Sequence, residues 1–283
     1  MANPTIGLLH PGEMGSMVGA AARANGLRVL WASEGRSAPT RERAAAAGLE
    51  DAKSIGLLIA ASQVIASVCP PHAAADLARE VAGRGFTGTY VDANAISPET
   101  AREIGGIIER GGATFLDGGI IGPPPRVPGS TRLYLSGTRA GVISRLFARG
   151  PLEAIVIDGG PGAASALKMA YAAYTKGTAA LLMAIRALAA QAGVEDALLR
   201  EWEQSQPQLA AQAERAVRSN TPKAWRFVGE MEEMAATFER SGLPGGFAQA
   251  AAEIYRRLAP YKDSPMPPPL ADVLKALIEQ DRA

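Results

Sequence analysis

The chain has 283 residues, with 29 Lys and Arg against 28 Asp and Glu, and a formal net charge of +1 at neutral pH. That balance excludes the basic surface nucleic acid requires, so no nucleic-acid partner is expected. A lone cysteine, Cys69, excludes an intramolecular disulfide. The longest apolar stretch, Gly177 to Gly193, is interrupted by Arg186 and falls short of the ~20 residues of a membrane helix. The N-terminus shows no charged segment leading into an apolar one, so the protein is expected in the cytoplasm, without a membrane partner.

Strand-like runs at Ile6 to Leu9, Leu27 to Trp31, Gln63 to Val68, Gly88 to Asp92 and Thr114 to Asp117 alternate with Ala-rich helical patterns such as Met14 to Ala24 and Ala73 to Ala82. That alternation predicts an α/β fold with a doubly wound parallel sheet of Rossmann type. Further strands are expected at Arg132 to Ser136 and Ala154 to Asp158, after which Gly159, Gly160, Pro161 and Gly162 break the pattern. Beyond Ala163 only helical patterns occur, over 163–192, 195–219, 222–241, 247–258 and 270–280, with a Pro-rich turn from Pro265 to Pro269. The expected organisation is a dinucleotide-binding domain over 1–162 and a smaller all-helical domain over 163–283, which would bind substrate and dimerise. The apolar helices exceed what a domain of that size can bury, so a homodimer is expected.

The turn after the first strand reads His10-Pro11-Gly12-Glu13-Met14-Gly15. A dinucleotide fingerprint uses glycine for a tight turn, for close approach to the pyrophosphate and for packing of helix on strand. Here His10 replaces the first glycine, while Gly12 and Gly15 keep the other two positions, and Pro11 stiffens the turn. With a strand before it and a helix after it, the turn from His10 to Met14, with the free N–H groups of the helix start, forms a candidate phosphate site; a plain crossover turn is the alternative. At the end of the second strand Ser33, Arg36 and Ser37 stand where an NAD-specific protein would place an acid on the ribose, which suits the 2′-phosphate of NADP. Arg41 and Arg43 add positive potential; Glu34 keeps NAD open, and a solvated charged loop is the alternative.

The helical pattern from Ala163 to Ala184 is apolar nearly all round, which predicts a buried helix, yet Lys168 stands inside it. Tyr171, Ala172 and Thr175 follow at three, four and seven residues, on the same stripe. A polar stripe of this kind needs partners or a cleft, expected here between the two domains, because an unpaired buried ammonium is costly. The alternative is a lysine reaching out to solvent.

Taken in order, GLLHPGEMG, SVCPPHAA (67–74), YVDANAISP (90–98), FLDGGIIGPP (115–124) and GPGAASALKMAYAAYTKG (160–177) resemble the signatures of the β-hydroxyacid dehydrogenase superfamily. That group includes 3-hydroxyisobutyrate and 6-phosphogluconate dehydrogenases and imine reductases, and the chain looks closest to a branch with a short helical C-terminal domain. The resemblance implies cofactor contacts at Cys69, Pro70 and Pro71 and at Asn94, which would meet the nicotinamide ribose. It implies Lys168 as the general acid or base, with Ala172 in place of the family's accompanying asparagine, so that Tyr171 or Thr175 would orient the substrate. Where relatives carry Ser-Gly-Gly for a substrate carboxylate, this chain has Ile121-Gly122-Pro123, leaving Gly118, Gly119 and Gly122 to bring backbone near a ligand. A second family lysine aligns with Gly229 and Glu230 and is lacking here; Glu230, Glu232 and Glu233 read as a charged helix face, with Arg226 or Glu230 reaching the cleft in place of that lysine as the alternative, and His72 reads as a loop residue rather than a base.

The expected activity is hydride transfer between NADP (or NAD) and a small hydroxy acid, alcohol or carbonyl compound, with no metal. An imine reductase is the alternative within the superfamily, and a nonenzymatic NADP(H) sensor the alternative outside it.

Overall fold

The computed structural model describes residues 3–262, 264 and 268–279. Strands β1 (Ile6–Leu9), β2 (Val29–Trp31), β3 (Glu50–Asp51), β4 (Val64–Ser67), β5 (Thr89–Asp92), β6 (Thr114–Ile121), β7 (Thr131–Ser136) and β8 (Leu152–Val156) form one sheet in the order β3-β2-β1-β4-β5-β6-β7-β8. Between them run α1 (Glu13–Ala24), α2 (Ala38–Ala46), α3 (Ile55–Ala61), α4 (Pro71–Gly83), α5 (Pro98–Arg110) and α6 (Ala140–Ser144).

The strand side chains feed two cores because successive residues point to opposite faces. Leu8, Ala66, Val91, Leu116 and Leu135 pack with Val18, Ala21 and Ala22 of α1, whereas Leu9, Ile65, Tyr90 and Phe115 pack with Leu58, Leu77 and Ile104 of α3, α4 and α5. The wholly parallel sheet expected from the alternation is corrected at one place: β6 and β7 are antiparallel, with Asp117 opposite Ser136 and Ile121 opposite Arg132. The connection from Gly122 to Ser130, rich in proline, contains no crossover helix, and a short link returns the chain only antiparallel.

The chain divides into two compact units, one ending at Met169 and the other starting at Ala170. Helix α7 (Ala163–Ala172) begins in the first; the described residues of the second are helical, with α8 (Thr178–Gln191), α9 (Glu195–Ser205), α10 (Leu209–Asn220), α11 (Ala224–Arg240), α12 (Gly246–Leu258) and α13 (Leu270–Ile278). Two helices expected to be continuous are broken. A π turn, Ala173–Gly177, separates α7 from α8. Gln206, the residue before Pro207, leaves the helical region at φ −146° and ψ 64° and ends α9, as the proline ring disfavours a helical conformation at the residue before it. Pro265 to Pro267 and Gln280, at the end of the last expected helix, lie outside the described residues. No helix among the described residues is long and apolar enough to cross a membrane.

How α7 meets the sheet sets up the site. A Cβ on Gly119 of β6 would lie 2.7 Å from the Ala164 carbonyl oxygen and 3.2 Å from Lys168 Cβ, so the helix is seated against β6 at a distance only glycine allows.

Candidate functional site

The turn after β1 keeps its shape without its first glycine. His10 has φ 63°, the left-handed region that glycine enters freely and that histidine enters more readily than most residues. The Gly12 N–H donates to the His10 carbonyl at 2.8 Å and closes the turn. A Cβ on Gly15 would run into that same carbonyl oxygen, whereas a Cβ on Gly12 would meet nothing within 4 Å. Gly15 therefore seats α1 against the turn, and Gly12 leaves open ground at the head of the helix, where the first N–H groups lack helical partners.

Around that ground the structure gathers side chains from three loops. His10 is half-buried and its Nδ1 has no hydrogen-bond partner. Burial, then the Arg36 guanidinium and His72, push its pKa down to about 4, so the ring is neutral at pH 7. Arg36, itself lowered by burial, interacts electrostatically with Cys69. Burial and the Asp92 carboxyl push the Cys69 thiol up to about 12, so it stays protonated and inert. His72 lies in the first turn of α4 rather than in a loop, and Pro70 and Pro71 open that helix. Open space at Gly12, an orphaned imidazole nitrogen and a guanidinium beside it fit the phosphates of a dinucleotide. Pro11 is buried, Glu13 exposed and Met14 packed against the core. Ser33 is buried, with its N–H donating to Asp51 Oδ1 at 3.2 Å, and Ser37 heads α2 with its hydroxyl 3.1 Å from that of Thr40.

A row of polar side chains crosses the sheet at the carboxyl ends of β4, β5 and β7 and the middle of the longer β6. Ser67 of β4 is opposite Asp92 of β5, Asp92 is opposite Asp117 of β6, and Asp117 is opposite Ser136 of β7. All four are buried. Asp92 receives the backbone N–H and the side-chain amide of Asn94, both at 3.0 Å. Asn94 also donates to Ser67 Oγ at 3.0 Å and accepts the Cys69 N–H at 2.6 Å. The Asn94 amide thereby pins the Cys69 turn to the end of β5. Asp117 Oδ2 accepts from Ser136 Oγ at 3.1 Å, from the Gly162 N–H at 2.9 Å and from the Ser165 N–H at 3.1 Å, while Oδ1 accepts from Ser165 Oγ at 2.6 Å. Asp117 thereby caps the start of α7 from the neighbouring strand.

On α7, Lys168 is partly buried and its Nζ donates to the Ile120 carbonyl of β6 at 2.7 Å. Burial pushes its pKa down to about 8. The three glycines expected to approach a ligand have packing reasons of their own. Gly118 and Gly119 lie inside the β6–β7 ladder, where a Cβ would meet the Asp92 carbonyl at 2.9 Å and the Ala164 carbonyl at 2.7 Å, and Gly122, at φ 124°, turns against Ser130.

In the second unit Tyr171 and Thr175 are exposed, and the Thr175 hydroxyl donates to the Tyr171 carbonyl at 3.1 Å. Lys176 of the π turn pairs with Glu230 and lies 4.6 Å from the centre of the Phe227 ring, and the Tyr255 hydroxyl donates to the Lys176 carbonyl at 2.8 Å. Glu230 is therefore not part of a solvated face, unlike Glu232, which is exposed and pairs with Arg256 at 2.9 Å. Among the described residues no group of three or more His, Cys, Asp and Glu side chains could hold a metal ion.

Sequence reasoning missed Asp92, Asp117, Ser136 and Ser165. The available signal was the recurrence of a polar residue closing successive apolar strands, in IAS, YVD, FLD and LYLS.

A mostly parallel sheet with a helix-heading glycine turn after β1, followed by a helical unit, defines a Rossmann-type fold. A family described as a domain of unknown function, DUF1932, matches residues 189–258. A 28.5 kDa protein from the 7S RNA 5′ region of Methanothermus fervidus is 32% identical over 202 residues, 71% of this chain and 77% of its own length. A solved protein of unknown function, described as structurally similar to 3-hydroxyacid dehydrogenases, is 29% identical with a TM-score of 0.67, covering 91% of this chain and 97% of that one. The fold extends to the 3-hydroxyisobutyrate dehydrogenase of Mycobacterium tuberculosis, solved with L-serine, at 17% identity and a TM-score of 0.69 over 98% of this chain and 100% of that one. The chain belongs to the β-hydroxyacid dehydrogenase superfamily.

The polar row has a testable titration. Burial, and secondarily the Asp117 carboxyl, raise the Asp92 pKa to about 7, against which its bonds from Asn94 act. An unfolded aspartate titrates near 3.8, so between that pH and about 7 the folded protein keeps a proton that the unfolded chain has lost. The Asp92 contribution to stability is fully present below pH 3.8 and is lost as pH rises through 7. Carboxyl-carbon NMR is expected to show an aspartate signal, absent in Asp92→Asn, with its midpoint near 7. A midpoint in the ordinary carboxylate range would contradict the described burial.

Proposed function

We propose that the protein is an NADP-dependent oxidoreductase acting on the carbonyl carbon, or the corresponding secondary alcohol, of a small substrate. The observation that carries this reading is Lys168, an ammonium anchored by a backbone carbonyl, partly buried, and brought by burial to a pKa of about 8. General acid–base catalysis is most effective when the pKa lies near the working pH. The superfamily supports the oxidoreductase class.

When bound, a nicotinamide cofactor supplies or accepts a hydride at C4. The residues of the chain do the rest. The N–H groups that open α1, beside Gly12, receive the pyrophosphate, and Arg36 pairs with the 2′-phosphate. Neutral His10 adds a nitrogen without adding charge. One Lys168 proton is held by Ile120, which fixes the side chain and leaves two for chemistry. In reduction Lys168 gives a proton to the substrate oxygen as the carbon receives the hydride; in oxidation its free amine takes the hydroxyl proton. Ile121 in place of the superfamily's serine removes one hydroxyl donor, which favours substrates that do not rely on that carboxylate contact.

The cofactor choice rests on Arg36. Arg36→Ala is expected to weaken NADPH by about 1.5 to 3 kcal/mol, roughly 10- to 150-fold, the range for a hydrogen bond to a charged group. NADH binding should hardly change. Fluorescence titration with both cofactors measures this, and equal losses would remove the 2′-phosphate role.

The proton role is tested by following NADPH absorbance over small oxo acids, hydroxy acids, aldehydes and imines. Lys168→Met should lower kcat by roughly 10² to 10⁴ and leave NADPH affinity unchanged. The pH dependence has a definite sign: reduction, which needs the ammonium, should fall above pH 8, and oxidation, which needs the amine, should rise through pH 8. Near-normal turnover by the methionine variant would eliminate Lys168 as the acid.

A further inference from the structure

We propose that Asp117 is the positioning residue of the site: by drawing the first turn of α7 onto β6, it holds Lys168 in the place where its ammonium meets Ile120. The proposal rests on the reading of Lys168 as the acid–base group and adds what keeps it there. Asp117 touches no reacting atom; it acts through the helix.

The geometry is a two-point attachment. β6 offers the Asp117 carboxylate and, three residues on, the Ile120 carbonyl. α7 offers Ser165 and, three residues on, Lys168, on the same helix face. The first pair is joined by the Ser165 hydroxyl at 2.6 Å and the Ser165 N–H at 3.1 Å, and the second by Lys168 Nζ at 2.7 Å. Fixing the first pair sets the rotation and height of α7 on the strand, and so decides where the lysine stem starts. Gly119, between the two acceptors, admits the helix with a hypothetical Cβ only 3.2 Å from Lys168 Cβ. The carboxylate is also fixed from behind, since Ser136 donates to it at 3.1 Å and accepts the Ala164 N–H at 3.1 Å. A lysine stem has four rotatable bonds and a strongly hydrated head. Released from this seat, the ammonium gains more by turning to water than by staying over an apolar strand.

The test needs neither substrate nor cofactor. The full chain is labelled with acetic anhydride at a series of pH values, and the Lys168 peptide is quantified by mass spectrometry to give the titration midpoint of that amine. In the wild type the midpoint is expected near 8. Ser165→Ala, which removes one donor, and Asp117→Ala, which removes the acceptor, should both move it upward toward the 10.5 of an ordinary lysine. Ser165→Thr, which keeps the hydroxyl, should leave it in place. If Asp117→Ala does not fold, Ser165→Ala decides the matter alone. A midpoint near 8 that stays unchanged in the folded variants overturns the positioning role and leaves the acid–base reading standing. An ordinary lysine midpoint in the wild type overturns the acid–base reading itself.

Discussion

The arrangement of the first unit depends on one buried carboxylate. Asp117 sits in the middle of β6 with no exposure to solvent, and four donors converge on it from β7 and the start of α7. A carboxylate in such surroundings is tolerable only when its oxygens are satisfied, since an unpaired buried charge costs several kcal/mol. That requirement works in both directions. The carboxyl needs the helix end, whose N–H groups would otherwise lack partners, and the helix end needs acceptors beyond the Gly160 carbonyl of its glycine-rich approach, which takes only the Ala163 N–H. The result is a fixed docking of α7 on the sheet, and Lys168 inherits its position from that docking.

The same row of residues reaches the opposite side of the site. Asp92, next to Asp117 across the ladder, holds Asn94, and Asn94 holds the turn at Cys69. The strand ends facing the glycine turn and the strand carrying the lysine helix are thus braced by two sets of side-chain hydrogen bonds, one on Asp92 and one on Asp117, on strands that are neighbours in the ladder. Proximity of two reactants is effective in catalysis only when both are held within a fraction of an ångström. A buried carboxyl is an expensive way to brace a sheet, and the Asp92 pKa, raised to about 7 first by burial and then by the Asp117 carboxyl, records that cost.

What could be read from the sequence was the part governed by local rules. Alternation of apolar runs with helical patterns specified the sheet, and the glycines at 12 and 15 specified the turn, because their spacing reports backbone contacts made within a few residues. The antiparallel β7 was not legible, since strand direction depends on the absence of a helix in a proline-rich link. The break in the long helix was not legible either, as the π turn at Ala173–Gly177 is held by Tyr255, 79 residues from Lys176 along the chain. The ribose contact of Asn94 was implied by the family resemblance; its bonds to Ser67 and Cys69 were not legible, because those partners come from another strand and its end. The packing of glycines 118 and 119 was not legible either, since a missing side chain looks the same in sequence whether a ligand or a helix takes the space. Lys168 was legible because a charge on an otherwise apolar helix is a local contradiction. Asp117, which governs that helix, was not, because its partners lie 19 to 48 residues away.

The braced site is proposed to move a hydride between a nicotinamide and a carbonyl carbon. Its most direct measurement is transfer of deuterium from NADPH labelled at C4, in separate pro-R and pro-S preparations, to products of a panel of small carbonyl compounds and imines, read by mass spectrometry. One deuterium is expected on the former carbonyl or imine carbon of a product, from one of the two labelled faces only. If NADPH binds and yet no product of the panel carries the label from either face, the site is a cofactor-binding site without the proposed chemistry, and the account is wrong.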